Sequence, residues 1–479
     1  MTYDNLTLHT DKYQINMMYA HWKQGTGDHR SVFDVYFRKL PFGNGFAVCA
    51  GLERVVRYIQ GLSFGEEELV FLAEQEEAYD PAFLEELRAF RFSGDLYAMP
   101  EGTLVFPGEP IMRIEARVFE AHLIETAILN FVNYQTLIAT KAARIRGVAG
   151  EDSLLEFGTR RAQEGDAAIW GARAAYVAGF DATSNVRAGM LFGIPVKGTH
   201  AHAWVQFHDD EQEAFDRYAD SLPDGVTLLV DTYDTLRKGI PHAIATGLAL
   251  RGRGKAMKGI RLDSGDLAYL SKQARRMLDE AGLHDVKIVA SNDLDEHIIF
   301  NLKAQGAAID IWGVGTQLIT AADHPALGGV YKLVARERNG TYDPVIKISS
   351  NPEKVTTPGI KDVYRIMNAS TGKAEADYIM LKDEGAIDGT PLRLFDPVHP
   401  YLRKIVDNYI AFPLLQPVFH DGELTYRLPS LAEIRTYHRE QLEQFWPEYL
   451  RKLNPERYPV DLSEEVWQLK QSLLQKHRA

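Results

Sequence analysis

The sequence is poor in cysteine and has no long apolar run. Its 479 residues include one cysteine, Cys49, so no disulfide can form within the chain. No stretch approaches the roughly 18 consecutive apolar residues that a membrane-spanning helix requires. The first residues, Met1 to Asn5, lack the basic region and apolar run of a secretory signal. These absences predict a cytoplasmic protein with no membrane role, and they indicate that Cys49 is a buried small hydrophobic residue.

Positive charge is also scarce. Lysine and arginine together number 53 against 66 aspartates and glutamates, and the formal net charge is −13. Proteins that bind nucleic acid need a basic surface to displace counterions, so this balance argues against a nucleic-acid partner. If the ligand is anionic, the cations that bind it must be clustered locally. Arginines at the ends of strands are therefore the most informative charged residues in the chain.

The length predicts a globular protein of two or three domains. The composition, with 45% hydrophobic and 25% charged residues, is typical of a soluble protein with a large core. Changes in the hydrophobic period divide the chain into an N-terminal α+β domain over residues 1–125, a (β/α) barrel over 126–335, and a C-terminal region of hairpins and helices over 336–479. We expect the C-terminal region to pack on the other two.

Local patterns predict several elements outside the barrel. Residues 32–37 are typical of a strand, and a helix is predicted from about Phe119 to Arg146, apolar on several faces and therefore buried. Beyond residue 330, turn signals at Asn339-Gly340 and at 370–372 lie between apolar runs. These signals predict β-hairpins.

Residues 151–320 repeat one pattern. Each short apolar run ends in polar residues or glycine and is followed by a helical segment, which is the rhythm of a parallel sheet with crossover helices. Seven such runs favour a (β/α) barrel, although an open, doubly wound sheet would give the same rhythm. The runs end at residues 154–158, 179–181, 194–199, 227–232, 259–264, 288–292 and 311–316.

The carboxyl ends of the strands in a (β/α) barrel meet at one rim, which carries the active site. The strand ends here supply arginines, hydroxyls, glycines and acids. This set suits a substrate with anionic groups at two places and a divalent cation between them. The rim residues are Arg160, Arg161, Thr199, His200, His202, Asp231, Arg261, Asp263, Ser291, Asn292, Gly313, Gly315 and Thr316.

Some of these features also have purely structural interpretations. Arg160 and Arg161 could be an exposed pair at a helix start, residues 263–266 could simply cap a helix, and 313–316 could be a tight strand-to-helix connection. Arg261 is harder to explain in this way. It lies between two apolar residues on a strand, so its side chain points to the opposite face, which in a barrel is the lumen or the rim.

His200 and His202 allow a rival interpretation. Alternate residues of a strand point the same way, so the two imidazoles could bind zinc as in metal-dependent barrel hydrolases. The later strand ends supply no third histidine, and arginines beside a dication are unfavourable. A metal hydrolase remains the alternative from a different reaction class.

Short motifs along the chain carry a resemblance to one known family. They are Thr10–Gln14, Glu156–Gln163, Gly198–His202, Arg261–Asp266, Ser291–Glu296 and Gly328–Leu333. On these motifs the chain resembles the nicotinate phosphoribosyltransferases over nearly its whole length. The resemblance implies a type II phosphoribosyltransferase with an α/β sandwich-like N-terminal domain, an irregular barrel and a C-terminal extension.

The resemblance also implies the reaction. The enzyme would form nicotinate mononucleotide and pyrophosphate from nicotinate and phosphoribosyl pyrophosphate in NAD salvage. ATP would be a co-substrate, hydrolysed through a phosphohistidine as in ligase-type enzymes, and Mg²⁺ would be the cofactor. A homodimer with shared active sites is implied as well.

Residue roles follow from the resemblance by motif. Tyr13 of the partner subunit would stack on the pyridine ring, with Phe157 on the other face. Arg160 or Arg161 would pair with the carboxylate of nicotinate. The related nicotinamide enzymes carry an aspartate where this chain has Ser184, so Ser184 favours nicotinate.

The remaining implied roles concern the ribose, the phosphates and ATP. Arg261 would contact nicotinate or the ribose phosphate, and Asp263 the ribose hydroxyls. His202, the histidine of the Gly-Thr-x-Ala-His motif, would be the phosphohistidine, and His200 fills the variable position. The other residues assigned to substrate binding are Thr199, Asp231, Ser291, Asn292, Gly313, Gly315 and Thr316, the last three at the 5-phosphate.

Two further hypotheses concern the same fold. One is a sister phosphoribosyltransferase for nicotinamide or quinolinate. The other is a protein that binds ligands without turnover, which we would expect to have lost at least one of His202, Arg261 and Asp263. All three are present.

Overall fold

The computed structural model describes residues 5–385, 387, 389 and 391–477. The chain divides into two compact units. Unit 1 consists of Met1–Leu137 together with Ala326–Ala479, and unit 2 consists of Ile138–Pro325. The two ends of the chain therefore share one unit, while the central segment forms the other. The finer division into three domains remains a prediction.

The strands in chain order are β1 (Arg30–Phe37), β2 (Ala47–Val48), β3 (Asp95–Ala98), β4 (Leu104–Val105), β5 (Met112–Arg117), β6 (Ser153–Glu156), β7 (Ala182–Thr183), β8 (Thr227–Leu229), β9 (Gly259–Leu262), β10 (Lys287–Ala290), β11 (Ile311–Val314), β12 (Gly329–Arg338), β13 (Thr341–Pro344), β14 (Lys361–Asn368), β15 (Ala374–Leu381), β16 (Leu392–Phe395), β17 (Arg403–Val406), β18 (Tyr409–Pro413), β19 (Gln416–His420), β20 (Glu423–Leu424) and β21 (Val460–Leu462).

The helices in chain order are α1 (Lys12–Lys23), α2 (Leu52–Gly61), α3 (Glu66–Ala73), α4 (Pro81–Arg88), α5 (Val118–Ala149), α6 (Glu164–Val177), α7 (Val186–Phe192), α8 (His202–Gln206), α9 (Glu211–Ser221), α10 (Ile240–Gly252), α11 (Leu267–Glu280), α12 (Glu296–Ala304), α13 (Thr316–Ile319), α14 (Leu431–Glu443), α15 (Pro447–Leu450) and α16 (Glu464–Lys476). Short 3₁₀ turns span Pro41–Gly43, Thr159–Arg161 and Pro352–Lys354, and a π-helical turn spans Thr235–Gly239. None of the helices among the described residues is long and apolar enough to cross a membrane.

Unit 1 is built on a seven-stranded sheet of order β13-β12-β1-β5-β3-β19-β20 and a four-stranded sheet of order β18-β14-β15-β21. Strand β1 is buried along nearly its whole length and pairs antiparallel with β12 and β5. Both predicted hairpins are confirmed, as β12–β13 and β14–β15. The first turns at Asn339 and Gly340, whose φ angles of 50° and 76° are the left-handed values that a tight hairpin requires.

Unit 2 contains a six-stranded sheet of order β7-β6-β11-β10-β9-β8 in which every ladder is parallel. A seventh segment adds to the β7 edge through a single parallel bridge between Thr183 and Val196. The prediction of a strand ending at 179–181 was wrong, because Gly179 has a φ of 109° and forms a turn before β7. The fold is thus an irregular (β/α) barrel, and no closing ladder occurs among the described residues.

Two helices of unit 2 are capped by the aspartates that directly precede them. Asp266 accepts a hydrogen bond from the Tyr269 N–H over 2.9 Å and caps α11, and Gly282, with a φ of 75°, follows the end of that helix. Asp295 caps α12 by accepting from two backbone N–H groups. The capping role that we considered for residues 263–266 therefore belongs to Asp266, which leaves Asp263 at the strand end for other contacts.

Acid is expected to destabilise unit 1 through His438. The imidazole is 3% exposed, its Nδ1 lies 2.9 Å from the Gly102 carbonyl oxygen, and burial lowers its pKa to about 4. Because this pKa lies below the value of about 6.5 in an unfolded chain, the stabilising contribution is complete above pH 6.5 and declines as the pH falls towards 4. Protonation should remove about 3 kcal/mol from the free energy of unfolding over that interval.

The measurement is urea unfolding of the wild type and of His438→Asn at pH 7 and pH 4.5. The asparagine amide keeps a donor for the Gly102 carbonyl but does not titrate. We expect the wild type to lose more stability than the variant between the two pH values. Parallel losses in the two proteins would show that His438 does not contribute.

Candidate active site

The carboxyl ends of the parallel strands of unit 2 surround a cavity of about 300 Å³. Because every ladder in the sheet is parallel, residues that are far apart in the chain reach the same edge. The cavity is lined by Phe157, Arg160, Arg161, Ser184, Gly198, Thr199, Arg261, Asp263, Ser291, Asn292, Asp293, Gly313, Gly315 and Thr316. Most of the residues predicted from the strand ends are therefore brought together in one place.

Four predicted residues do not line this cavity: His200, His202, Asp231 and Tyr13. His202 and Asp231 lie beside it: the His202 Nε2 is 4.0 Å from a carboxylate oxygen of Asp263 and 4.0 Å from one of Asp231. Tyr13 lies on α1 in unit 1 and is 51% exposed. The lining residues Gly198 and Asp293 were not assigned from the sequence, although each is adjacent to an assigned residue in a quoted motif.

Arg261 is the centre of the hydrogen-bond network in the cavity. Its guanidinium donates to Ser291 Oγ over 2.8 Å, to Thr199 Oγ1 over 3.1 Å and to Asp263 Oδ1 over 2.8 Å. It also lies over the Phe157 ring, 5.7 Å from the centroid, at a distance typical of a cation–π contact. Three of the five N–H groups are used by these contacts, which leaves one on each terminal nitrogen for a ligand.

The two acids beside Arg261 have different surroundings. Asp231 Oδ2 accepts from the Asp263 N–H over 2.9 Å and from Ser264 Oγ over 2.7 Å, so this buried carboxylate supports the loop after β9. Its other oxygen, Oδ1, is buried and accepts no hydrogen bond among the described residues. Asp263 is more exposed, accepts from Arg261 and makes a short hydrogen bond with Ser291 Oγ.

Phe157 forms an apolar wall of the cavity and requires a glycine beneath it. A Cβ atom at Gly313 would lie 2.7 Å from the Phe157 ring, so only glycine allows the ring to lie across β11. Glu156, which precedes Phe157 in the chain, is buried. Its carboxylate accepts hydrogen bonds from the Gly158 N–H and from Thr183 Oγ1, the latter over 2.6 Å. Burial raises the pKa of Glu156. These contacts fix the segment that carries Phe157.

Arg160 and Arg161 lie on the 3₁₀ turn that follows β6. Both side chains are exposed and line the cavity, and neither forms an ion pair within the described part of the chain. Together with Arg261 they place three arginines around a space that contains two acids, Asp263 and Asp293. The chain as a whole is acidic, but this cavity favours an anion.

The two histidines of the 199–202 segment have different environments. His200 is 7% exposed, and its Nε2 accepts from the Leu229 N–H over 3.2 Å, so its lone pair is not available to a metal ion. His202 has a 39% exposed side chain, and its Nδ1 lies 3.1 Å from Thr232 Oγ1. This difference argues against the zinc hydrolase, which needs both imidazoles as ligands.

A larger cavity of about 640 Å³ lies in unit 1. Its most buried cation, Lys361, lies 2.8 Å from a carboxylate oxygen of Asp34 and donates to the carbonyls of Thr357 and Gly359 over 2.8 and 2.7 Å. All three ammonium N–H groups are thus used within the fold. We take the smaller cavity as the candidate site because it gathers the chemistry at the strand ends.

The donor set beside His202 fits a hard divalent cation. Asp231 Oδ1 is buried without a hydrogen-bond donor among the described residues. Both Asp231 Oδ1 and Asp263 Oδ2 lie 4.0 Å from His202 Nε2. Carboxylate oxygens are the protein ligands that Mg²⁺ takes, usually one or two at a time with water completing the shell.

Comparisons with known proteins identify the same family along most of the chain. Residues 8–133 match the model of the nicotinate phosphoribosyltransferase N-terminal domain, residues 153–376 the model of the nicotinate phosphoribosyltransferase family, and residues 360–470 the model of the C-terminal domain. The nicotinate phosphoribosyltransferase of Bacillus subtilis is 57% identical over 97% of this chain and 94% of its own length. The human protein of the same name is 35% identical over 97% and 96%.

Solved structures show the same fold. The crystal structure of human nicotinic acid phosphoribosyltransferase superposes with a TM-score of 0.86 at 32% identity, covering 97% of this chain and 99% of the human chain. A nicotinate-nucleotide pyrophosphorylase from Pyrococcus furiosus superposes with a TM-score of 0.71 over 92% of this chain and 96% of its own. At 24% identity the second likeness concerns the fold alone.

Proposed function

This chain belongs to the nicotinate phosphoribosyltransferase family, and we propose that it joins nicotinate to phosphoribosyl pyrophosphate, releasing pyrophosphate, in NAD salvage. The observation that carries the proposal is one cavity of about 300 Å³ in which Phe157, three arginines and Asp263 converge. An aromatic wall suits a pyridine ring, and separate guanidinium groups suit a substrate pair with a carboxylate and several phosphate oxygens.

We assign nicotinate to the Phe157 side of the cavity. The ring would pack on Phe157, and the carboxylate would pair with Arg160 or Arg161, whose exposed guanidinium groups reach the same space. Ser184 also lines the cavity and brings no charge, whereas a carboxylate there would repel an acidic substrate. Holding the ring nitrogen in line with carbon 1 of the ribose would replace much of the entropy cost of joining two substrates.

The ribose and its phosphates are assigned to the other strand ends. Departure of pyrophosphate develops positive charge on the sugar and negative charge on the leaving group. Asp263 would accept hydrogen bonds from the ribose hydroxyls. Arg261 would donate hydrogen bonds to substrate oxygens through its two remaining N–H groups. Gly315 and Thr316, which connect β11 to α13, would meet the 5-phosphate. Mg²⁺, when bound, would neutralise pyrophosphate charge, with Asp231 and Asp263 as its protein ligands.

We propose His202 as the residue that accepts a phosphoryl group from ATP. Its side chain is partly exposed, whereas both ring nitrogens of His200 face backbone groups of the barrel. The Thr232 hydroxyl beside His202 Nδ1 would orient the ring. Phosphorylation next to Asp231 and Asp263 would change the charge of the pyrophosphate side of the cavity, and this change would couple ATP hydrolysis to turnover.

A homodimer with shared sites is part of the proposal. Helix α7 begins two residues after Ser184 and exposes Val186 and Met190, which are 72% and 76% accessible. Large apolar side chains grouped on a surface are typical of protein contacts. The half-exposed Tyr13 on α1 would be the aromatic residue that each subunit supplies to the partner's site.

The test is a reaction of the purified protein with nicotinate, phosphoribosyl pyrophosphate and Mg²⁺, with and without ATP, followed by chromatography of the products. We expect nicotinate mononucleotide, formed faster with ATP, and little product from nicotinamide. Equal or better use of nicotinamide would overturn the substrate assignment. Absence of any mononucleotide would overturn the reaction.

Gly313→Ala is expected to raise KM for nicotinate about tenfold with a smaller change in kcat, because the new methyl group must push the Phe157 ring into the space assigned to the pyridine. The matched control is Gly165→Ala on α6, where an added Cβ atom meets nothing within 4 Å. Steady-state kinetics of both variants make the comparison. An unchanged KM in Gly313→Ala would show that nicotinate does not lie against Phe157.

A further inference from the structure

Two neighbouring segments of the barrel, the one around Val196 and β8, are connected by a side chain and not by a strand ladder. The segment around Val196 bridges Thr183, and β8 pairs with β9 on its other side. Within the described part of the chain, no backbone hydrogen bond connects residues 194–201 to β8. The N–H of Leu229, a buried residue of β8, donates to His200 Nε2 over 3.2 Å.

This contact determines where the proton of His200 lies. A backbone N–H can only donate, so Nε2 must be unprotonated. The neutral ring then carries its proton on Nδ1, which lies 3.3 Å from the Ala201 carbonyl oxygen, an acceptor. The ring packs edge-on against Tyr218, with centroids 4.8 Å apart, and beside Phe215. Both nitrogens are therefore used by the fold.

We propose that His200 is a positioning residue, whose neutral imidazole substitutes for the missing ladder and holds the 199–202 segment against β8. On one side of it, Thr199 Oγ1 accepts from Arg261 in the cavity. On the other side, His202 contacts Thr232, three residues beyond the end of β8. Release of the segment from β8 would displace both contacts together. For its activity readout the inference rests on the proposed function.

The variants His200→Phe and His200→Gln distinguish the effect of the hydrogen-bond acceptor at His200 Nε2 from the effect of the volume of the ring. Phenylalanine fills the same space but cannot accept from Leu229, whereas the glutamine amide oxygen can. We expect His200→Phe to lower kcat about 30-fold and to slow phosphorylation of His202 by ATP, and His200→Gln to retain activity within about threefold of wild type. His208→Phe is the matched control, because it keeps a ring at this position but loses the contact of His208 Nδ1 with the Trp204 carbonyl oxygen.

Wild-type kinetics in His200→Phe would overturn the proposal, and so would equal impairment of the phenylalanine and glutamine variants. A second readout does not depend on activity. In ¹⁵N-histidine-labelled protein at pH 7, the ring signals that disappear in His200→Gln should belong to a neutral imidazole protonated at Nδ1. A ring protonated at Nε2, or at both nitrogens, would contradict the geometry even if the enzyme makes no mononucleotide.

Discussion

Arg261→Lys is expected to lower kcat/KM for nicotinate about 1000-fold. The guanidinium donates to Ser291, Thr199 and Asp263 at once and keeps two N–H groups for substrate. An ammonium has three donors on one atom and cannot reproduce this fork. Two lost hydrogen bonds to charged groups, at about 2 kcal/mol each, correspond to about three orders of magnitude in rate.

Steady-state kinetics with nicotinate and phosphoribosyl pyrophosphate as varied substrates measure this effect. The matched control is Arg275→Lys on α11, which replaces an arginine that holds the carbonyls of Leu283 and Val286 in the same unit but outside the cavity. We expect the control to change stability more than turnover. If Arg261→Lys keeps more than about a tenth of wild-type kcat/KM, the guanidinium is not central to the site.

His202→Ala is expected to abolish the acid-labile phosphate that ATP places on the protein, and with it the stimulation of turnover by ATP. The imidazole is the part-exposed one of the pair and lies 4.0 Å from the carboxylates of Asp231 and Asp263, beside the pyrophosphate side of the cavity. Turnover without ATP should persist at a reduced rate, because Arg261 and Phe157 remain in place.

Labelling with γ-³²P-ATP, followed by acid and alkali treatment, measures the phosphohistidine directly. His208→Ala, in the loop after α8, controls for the loss of a nearby imidazole. Retention of acid-labile phosphate in His202→Ala would show that another residue is the acceptor. If His202→Ala loses the label but ATP still stimulates its turnover fully, phosphorylation of His202 does not couple ATP hydrolysis to turnover.

The sequence predicted the elements whose determinants are local. The hairpin at Asn339-Gly340 follows from two residues that tolerate positive φ, and the ends of α11 follow from Asp266 and Gly282. The convergence of the strand ends was also predictable, because a parallel sheet brings every carboxyl end to one edge whatever the separation in the chain. The hydrophobic periodicity, together with the polar residues and glycines that end each apolar run, was therefore sufficient to place Arg261 and Thr316 beside one cavity.

The sequence could not distinguish residues whose partners are distant. Asp263 and Asp266 are equally good capping residues by type, and only the structure shows that Asp263 is held by Arg261 while Asp266 caps the helix. His200 and His202 likewise differ only through contacts with β8 and with Thr232. The turn at Gly179 depends on a backbone angle that the pattern of apolar residues does not encode.

A crystal structure of the protein with nicotinate bound shows directly whether the substrate lies where we propose. We expect the pyridine ring against Phe157 in the cavity at the strand ends of unit 2, with its carboxylate about 3 Å from a guanidinium nitrogen of Arg160 or Arg161. Nicotinate in the larger cavity of unit 1, with the strand-end cavity left without it, would contradict the assignment.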